Sequence, residues 1–268
     1  MITFVTCWYE LHSKYNKELY QKWIDNFLSN LEICNLVIYT NIQSVAMLKK
    51  YEKKNNIKII LLELDELYNY KYKDDWIMNH ERNHTLNTKT CWELNMLWNE
   101  KTHFVEKAYI NNHFQSDWYG WCDIGYFRGR PCDTNLEQIK RWPNPNKIRE
   151  LNMDKIYYGN VNGNIQRTYQ IYKQIQDKNE VGLPRIPIPT EEIFIAAGFF
   201  LIYKNNIRWW NKTHDDKLRL YFENKYLVKD DQMIVLNNIV ENIHKIQIQV
   251  EFTEGKFDNW FMFQRILL

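Results

Sequence analysis

The chain has 268 residues, of which 45% are hydrophobic and 25% charged, and these proportions are typical of a globular protein rather than a disordered one. Its 35 basic and 33 acidic residues are interspersed and give a net charge of +2, so nucleic-acid binding has no support. The sequence shows neither a signal-peptide pattern nor a run of roughly 18 apolar residues, so no transmembrane segment is expected. Its five cysteines are an odd number, which argues against a disulfide framework. We therefore expect a cytoplasmic protein.

The first part of the chain alternates apolar runs with helical patterns. Brief, β-branched runs predict strands over 2–6, 36–40 and 57–64. A helix capped by Ser13 is predicted after the first strand, and a short helix over 44–54 after the second. Because the apolar runs are continuous rather than alternating, they indicate a parallel sheet covered on both faces.

The rest of the chain predicts a mixed arrangement. Thr90 and Glu93 have capping-box spacing and predict a helix, although Asn87 or Thr88 could also begin it. A connector then leads to residues 118–127, predicted as an apolar strand that runs into a functional turn. Residues 129–150 are predicted to form a loop with at most a short helix, and the proline-rich segment 182–190 an irregular connector. Further strands are expected at 156–159, 193–203 and 245–250, with helices at 164–178, 206–225 and 230–242. The predicted fold class is therefore α/β, an open mixed sheet with helices on both faces.

Candidate functional residues are expected just after strands, because open α/β sheets bind ligands at the carboxyl ends of their strands. Thr6, Thr40 and Asp123 stand at such positions. The glycine patterns of dinucleotide sites and phosphate-binding loops are absent from the sequence. Residues 80–84 match the His-Glu-x-x-His pattern of zinc proteases, but their polar surroundings offer no apolar helix face, and we interpret both histidines as solvated.

Asp123 is the most informative residue, because it interrupts the apolar run WYGWCDIGYF. A carboxylate there is costly to bury unless it is paired or bound to a cation. At a strand end it can face a cleft, where a divalent ion would bridge it to a diphosphate. Gly125 allows close backbone approach, and Arg128 can pair with phosphate or with Asp123 itself. A purely structural pair of Asp123 and Arg128 remains the alternative.

Residues 88–128 carry a resemblance to a known family, mainly in ELNMLWNEK at 93–101, FQSD at 114–117 and WCDIGYFR at 121–128. These segments resemble the HtrL/YibB-type family, which is itself similar to GT-A glycosyltransferases. The resemblance implies a single GT-A-like domain over 1–268, with a Rossmann-like nucleotide-sugar-binding half at 1–130 and an acceptor-side half at 131–268. It further implies transfer of a sugar from a nucleoside-diphosphate sugar, UDP-linked, to a glycan hydroxyl.

The resemblance also implies donor-site residues. GT-A enzymes usually carry Asp-x-Asp at this strand end, where it binds the donor ribose and a Mn²⁺ or Mg²⁺ ion. Here Asp123-Ile124-Gly125 retains one carboxylate, so Asp123 is the implied metal ligand and Mn²⁺ or Mg²⁺ the implied cofactor. Because the motif is incomplete, a non-catalytic nucleotide-sugar or glycan-binding module on the same fold remains the alternative function.

The other implied site residues fall into two groups. Asp230 and Asp231 are the expected catalytic residues, which orient the sugar or act as base if transfer is inverting; helix capping is the alternative role. Among the expected nucleotide-sugar contacts, Trp8 or Tyr9 is predicted to stack on the base, and core packing of both rings is the alternative. Lys101 is predicted to contact phosphate, and a solvated helix-end lysine is the alternative. Together with Asp123, these contacts are Thr6, Cys7, Trp8, Tyr9, Lys101, Trp121, Gly125, Arg128 and Gly198.

Overall fold

A seven-stranded sheet forms the centre of the computed structural model, which describes residues 1–252 and 255–268. The strand order across the sheet is β3-β2-β1-β4-β6-β5-β7. In chain order the strands are β1 (Ile2–Trp8), β2 (Asn35–Thr40), β3 (Ile57–Leu61), β4 (Trp118–Cys122), β5 (Ile156–Asn160), β6 (Ile195–Tyr203) and β7 (Ile246–Val250).

The sheet is parallel at the front and mixed behind. Strands β3, β2, β1 and β4 run parallel to one another, as their continuous apolar runs predict. Strand β6 is antiparallel to both β4 and β5, and β7 is parallel to β5. The predicted fold class, an open mixed α/β sheet with a Rossmann-like front half, is therefore confirmed.

Ten α-helices are described around this sheet, and within the described residues none combines the length and apolar character needed to cross a bilayer. They are α1 (Lys17–Asn30), α2 (Lys73–Arg82), α3 (Trp92–Asn99), α4 (Lys101–Asn111), α5 (Leu136–Ile139), α6 (Pro145–Arg149), α7 (Ile165–Gln176), α8 (Ile207–Glu223), α9 (Asp231–Glu241) and α10 (Phe263–Ile266).

The helices cover both faces of the sheet, because successive side chains of a strand point to opposite sides. On β1, Phe4 belongs to the core that contains α1 and α10. Its neighbour Val5 belongs to the larger core on the other face, which contains α3, α4, α8 and α9. The prediction of helices on both faces is confirmed.

Three local predictions of helices and their caps were wrong. Asn16, and not Ser13, caps α1 by accepting from the Leu19 backbone N–H. Thr90 donates its hydroxyl to the Leu86 carbonyl and forms no capping box with Glu93. Residues 44–54 form two short 3₁₀ turns in place of an α-helix.

Helices α2 and α4 were missing from the sequence prediction. Helix α4 begins at Lys101 and buries Lys101, Thr102 and His103 along with its apolar residues. Its sequence therefore shows no separate polar and apolar faces from which a helix could be predicted. Helix α2 ends at Arg82, so His80 and His84 do not share a helical face, which agrees with their interpretation as solvated residues.

The break between α3 and α4 fixes the position of Lys101. Glu100 lies in the break, and its two carboxylate oxygens accept from the backbone N–H groups of Tyr68 and Asn69 at 2.8 and 3.0 Å. Burial raises the pKa of Glu100 to about 7, against the opposing effect of these two hydrogen bonds. The segment at 68–69 is thereby tied to the break, and Lys101 becomes the first residue of α4.

Gly120 is required by the close pairing of β4 with β6. A Cβ atom at this position would lie 2.5 Å from the Phe200 carbonyl oxygen, which belongs to the backbone and cannot move alone. We expect Gly120→Ala to lower the free energy of unfolding by about 1–3 kcal/mol, the range typical of an overpacked core. Urea denaturation measures this, with Gly163→Ala as control, because no atom lies within 4 Å of a Cβ there. Equal stability of the two variants would contradict this packing.

Candidate functional site

A cleft of about 500 Å³ opens at the carboxyl ends of β1 and β4. Its walls come from the loops that follow these two strands, from α3 and from the start of α9. This is the edge at which an open α/β sheet is expected to bind ligands. Eleven of the twelve predicted site residues line the cleft, namely Cys7, Trp8, Tyr9, Lys101, Trp121, Asp123, Gly125, Arg128, Gly198, Asp230 and Asp231.

Asp123 is the first residue after β4 and begins a tight turn. Its backbone N–H donates to the Gly198 carbonyl, and its own carbonyl accepts from the Tyr126 N–H, both at 2.9 Å. The carboxylate oxygen Oδ1 accepts from the indole N–H of Trp121 at 2.5 Å. The Asp123 side chain is 44% exposed, so the turn presents a carboxylate to the cleft while one of its oxygens is held in place.

Lys101 places a buried ammonium group between two carboxylates. Its Nζ lies 2.9 Å from Asp231 Oδ2 and 3.3 Å from Asp123 Oδ1, and it donates to the Ala197 carbonyl at 2.9 Å. Burial lowers the pKa of Lys101, but the two carboxylates more than offset this and the net shift is upward, so the group stays charged. The alternative of a solvated Lys101 is wrong, since its side chain is only 8% exposed.

Asp230 and Asp231 stand at the start of α9 without capping it. Asp230 occupies the N-cap position, but its side chain accepts no backbone N–H from the first turn of the helix and receives only the side-chain amide of Gln232, at 3.4 Å. One oxygen of Asp230 lies 3.3 Å from Lys229 Nζ, whereas Oδ1 is buried and has no partner among the described residues. Burial first, and then the charge of Asp230, raises the pKa of Asp231 to about 7, although Lys101 opposes the shift. Neither carboxylate therefore serves the capping role that was their alternative.

Arg128 lies between aromatic rings and does not pair with Asp123. Its guanidinium carbon is 4.4, 5.1 and 4.9 Å from the ring centroids of Trp23, Tyr15 and Phe261. Its Nε donates to the Gly125 carbonyl at 3.3 Å. Within the described part of the chain no carboxylate forms an ion pair with Arg128, so the predicted structural alternative, an Asp123–Arg128 pair, is wrong. The cleft therefore contains an oriented cation that no carboxylate of the described residues neutralises.

The two glycines of the site make room for side chains. A Cβ at Gly125 would lie 2.9 Å from the Trp23 ring, and one at Gly198 would lie 2.8 Å from Asp123 Oδ2. Gly125 was interpreted as an approach point for ligand, and that interpretation needs correction because the ring of Trp23 occupies the space. Gly198 permits the observed position of the Asp123 carboxylate.

The residues after β1 are less accessible than predicted. Thr6 is fully buried within β1 and does not line the cleft. Trp8 and Tyr9 are 5% and 4% exposed, and the Tyr9 hydroxyl donates to the Leu62 carbonyl, so the alternative of core packing fits both rings better than stacking on a base. Burial raises the pKa of the Cys7 thiol, which therefore stays protonated. The Thr40 hydroxyl donates to the Trp8 carbonyl.

The contacts of Asp123 do not fit the implied metal site. Neither position that could supply the second carboxylate of the motif does so. Trp121, two residues before Asp123, has an N–H donor, and Gly125, two residues after it, has no side chain. Across the described residues there is no group of three His, Cys, Asp or Glu side chains arranged to hold a metal ion. A divalent ion shared by Asp123 and Asp231 would meet the fixed positive charge of Lys101.

Sequence reasoning missed several residues that line the cleft. Lys14 and Tyr15 follow β1 in the same way that Arg128 follows β4, and Lys14 lies 5.4 Å from the Trp98 ring centroid. Their position after a strand was a usable signal. Asp258, Trp260 and Phe261 also line the cleft, but they are distant in sequence from the front half, and no local pattern marks them.

The contact between Gly198 and Asp123 predicts a coupled pair of substitutions. Gly198→Ala should lower the free energy of unfolding by about 1–3 kcal/mol, because the new methyl group displaces the carboxylate. In an Asp123→Ala background the same change should cost much less, since the conflicting oxygens are gone. Urea denaturation of the four proteins in this cycle measures the coupling. Additive effects would show that the two side chains do not compete for this space.

Comparisons with known proteins find a likeness among solved structures only. No protein-family model matches the sequence, and no curated protein matches it. Among solved structures, the chain is similar to a galactosyltransferase, LgtC, crystallised with donor and acceptor sugar analogs. The two are 11% identical with a TM-score of 0.48, and the match covers 92% of this chain and 72% of the other. This level of similarity assigns no role to any residue.

Proposed function

We propose that the chain is a glycosyltransferase that moves a sugar from a nucleoside-diphosphate sugar, UDP-linked, to a glycan hydroxyl. The observation that carries this proposal is the meeting of Asp123, Asp231 and Arg128 in one cleft at the carboxyl ends of parallel strands. Carboxylates accept hydrogen bonds from ribose and sugar hydroxyls, and a guanidinium group binds phosphate oxygens. A nucleoside-diphosphate sugar needs both kinds of contact.

The donor is proposed to lie along the loops after β1 and β4, within the 1–130 half. Asp123 presents a half-exposed carboxylate suited to a ribose hydroxyl, and its Oδ1 is fixed by Trp121. Arg128 is held by the Gly125 carbonyl through Nε, by the Tyr15 hydroxyl through Nη1 and by aromatic rings, and its Nη2 group is proposed to bind the diphosphate. Such a pre-oriented cation can stabilise the negative charge that develops on the departing nucleoside diphosphate.

The start of α9, in the 131–268 half, is proposed to face the transferred sugar and the acceptor. The unpartnered Oδ1 of Asp230 needs a hydrogen-bond donor, and a sugar hydroxyl supplies one. If transfer is inverting, Asp231 accepts the proton of the acceptor hydroxyl. The acceptor oxygen then bonds to the anomeric carbon while the bond from that carbon to the diphosphate oxygen breaks.

Asp123→Asn tests the donor contact. The amide oxygen can still accept from Trp121, but the negative charge is lost, so binding of UDP-sugar should weaken about 10- to 100-fold, the effect of losing one hydrogen bond to a charged group. Calorimetric titration measures the affinity, and release of UDP measures turnover. Asp117→Asn is the matched control, because Asp117 precedes β4 at its other end and pairs with Lys204 outside the cleft. Full activity of a folded Asp123→Asn variant would show that the central assignment is wrong.

The same measurements separate the alternatives. A transferase releases UDP from a bound donor, fastest with a suitable glycan. Binding of UDP-sugar without any UDP release would instead identify a nucleotide-sugar-binding module. A protein that binds no nucleotide sugar under any condition would refute the proposal.

The proposed base role of Asp231 predicts a pH dependence. A base must be ionised before it accepts a proton, and the pKa of Asp231 is raised to about 7. The value of kcat/KM should therefore fall about tenfold for each pH unit below about pH 7 and level off above it. A pH profile of kcat/KM for the donor, recorded at a saturating concentration of acceptor, measures this. A profile that remains flat from neutral pH down to the ordinary range of aspartate would contradict a base role for Asp231.

A further inference from the structure

The ammonium group of Lys101 occupies the position between carboxylates that a bound cation would take. It contacts Asp123 Oδ1 and Asp231 Oδ2, which come from the end of β4 and the start of α9. These are the carboxylates that could otherwise share a divalent ion. We propose that Lys101 replaces that ion as a fixed, covalently attached cation, and that the cleft binds a diphosphate without a metal. The part of this inference that concerns the diphosphate rests on the proposed function.

The geometry of Lys101 matches this role better than a direct contact to phosphate. An ammonium group has three hydrogens, and three acceptors surround this one, namely Asp123, Asp231 and the Ala197 carbonyl. No hydrogen is left to donate to a phosphate oxygen. Lys101 therefore acts as a positioning residue, which shares its single positive charge between two carboxylates and holds them on one wall of the cleft.

The charge for a diphosphate must then come from the other three cations among the described residues that line the cleft. One of them, Arg130, is held by two aspartates, which leaves Arg128 and Lys14. Arg128 follows β4 and Lys14 follows β1, so the two groups approach from the loops of adjacent parallel strands. Among the described residues neither has a carboxylate partner, and each contacts aromatic rings. By contrast, Lys101 and Lys229 are both engaged by the aspartates of the site. The unpaired charges suit a diphosphate without a bridging ion.

The first experiment titrates Mn²⁺ into the protein after treatment with EDTA and dialysis. We expect no saturable Mn²⁺ binding, measured by the electron paramagnetic resonance of free Mn²⁺, and no rise in melting temperature. We also expect the affinity for UDP to agree within about twofold in EDTA and in Mn²⁺. Mn²⁺ binding that Asp123→Asn abolishes would overturn the inference, and so would UDP binding at least about tenfold weaker in EDTA.

A charge-removing variant tests the role of Lys101 directly. In Lys101→Met two carboxylates face each other without a cation, so the folded variant should be destabilised and should gain affinity for Mn²⁺. We expect Mn²⁺ to raise its melting temperature by about 2 °C or more, an effect absent from the wild type. Lys229→Met is the matched control, because Lys229 is similarly buried but, among the described residues, forms an ion pair with one carboxylate, that of Asp230. A folded Lys101→Met variant that responds to Mn²⁺ no more than the control would contradict the inference.

The outcomes distinguish this inference from the proposed function. UDP-sugar binding and turnover that need Mn²⁺ would refute the metal-free site and leave the glycosyltransferase proposal intact. If no nucleotide sugar binds, the proposed function fails, whereas the Mn²⁺ titrations of wild type and Lys101→Met still decide whether Lys101 stands in the place of an ion. If Lys101→Met does not fold, the wild-type titration alone decides.

Discussion

The buried ammonium group of Lys101 is the interaction on which the arrangement of the cleft depends. It joins the start of α4 to the end of β4, the next element along the chain, and to the start of α9, which lies more than 100 residues further on. Burial of a charge is costly unless partners compensate it, and here two carboxylates and a carbonyl do so. Removal of Asp231 would leave the Lys101 ammonium group buried with incomplete partners, and loss of that ammonium group would leave the buried Asp231 carboxylate uncompensated.

The surrounding structure keeps this charge in place. Glu100 ties the break between α3 and α4 to the backbone at 68–69, so that α4 starts at Lys101. Trp121 fixes one oxygen of Asp123, and the missing side chain of Gly198 leaves space for the other. The site is therefore positioned by contacts that a ligand does not make, which is the condition for a pre-organised binding site.

The cleft combines two kinds of charged group with different roles. Aspartates paired with lysines line one part of it, and they suit hydroxyl groups of a ribose or sugar. Arg128 and Lys14 are unpaired among the described residues, and they suit an anion. This separation favours a ligand with a polar, uncharged end and a doubly charged middle, as in a nucleoside-diphosphate sugar. The same separation explains why Arg128 does not pair with Asp123, although they are five residues apart.

The sequence by itself determined the parallel front of the sheet and the position of Asp123, because both follow from local patterns: continuous apolar runs, and a carboxylate at a strand end. It also indicated Asp230 and Asp231, since two adjacent acidic residues exceed what one helix start needs. Helix α4 and the burial of Trp8 were decided by tertiary contacts, which outweigh local propensity. The cap of α1 was decided locally, by which of two nearby polar side chains reaches the first turn. Only the tertiary structure brought Lys101 between Asp123 and Asp231. Such a pairing depends on how α4, β4 and α9 pack, and no spacing along the chain encodes it.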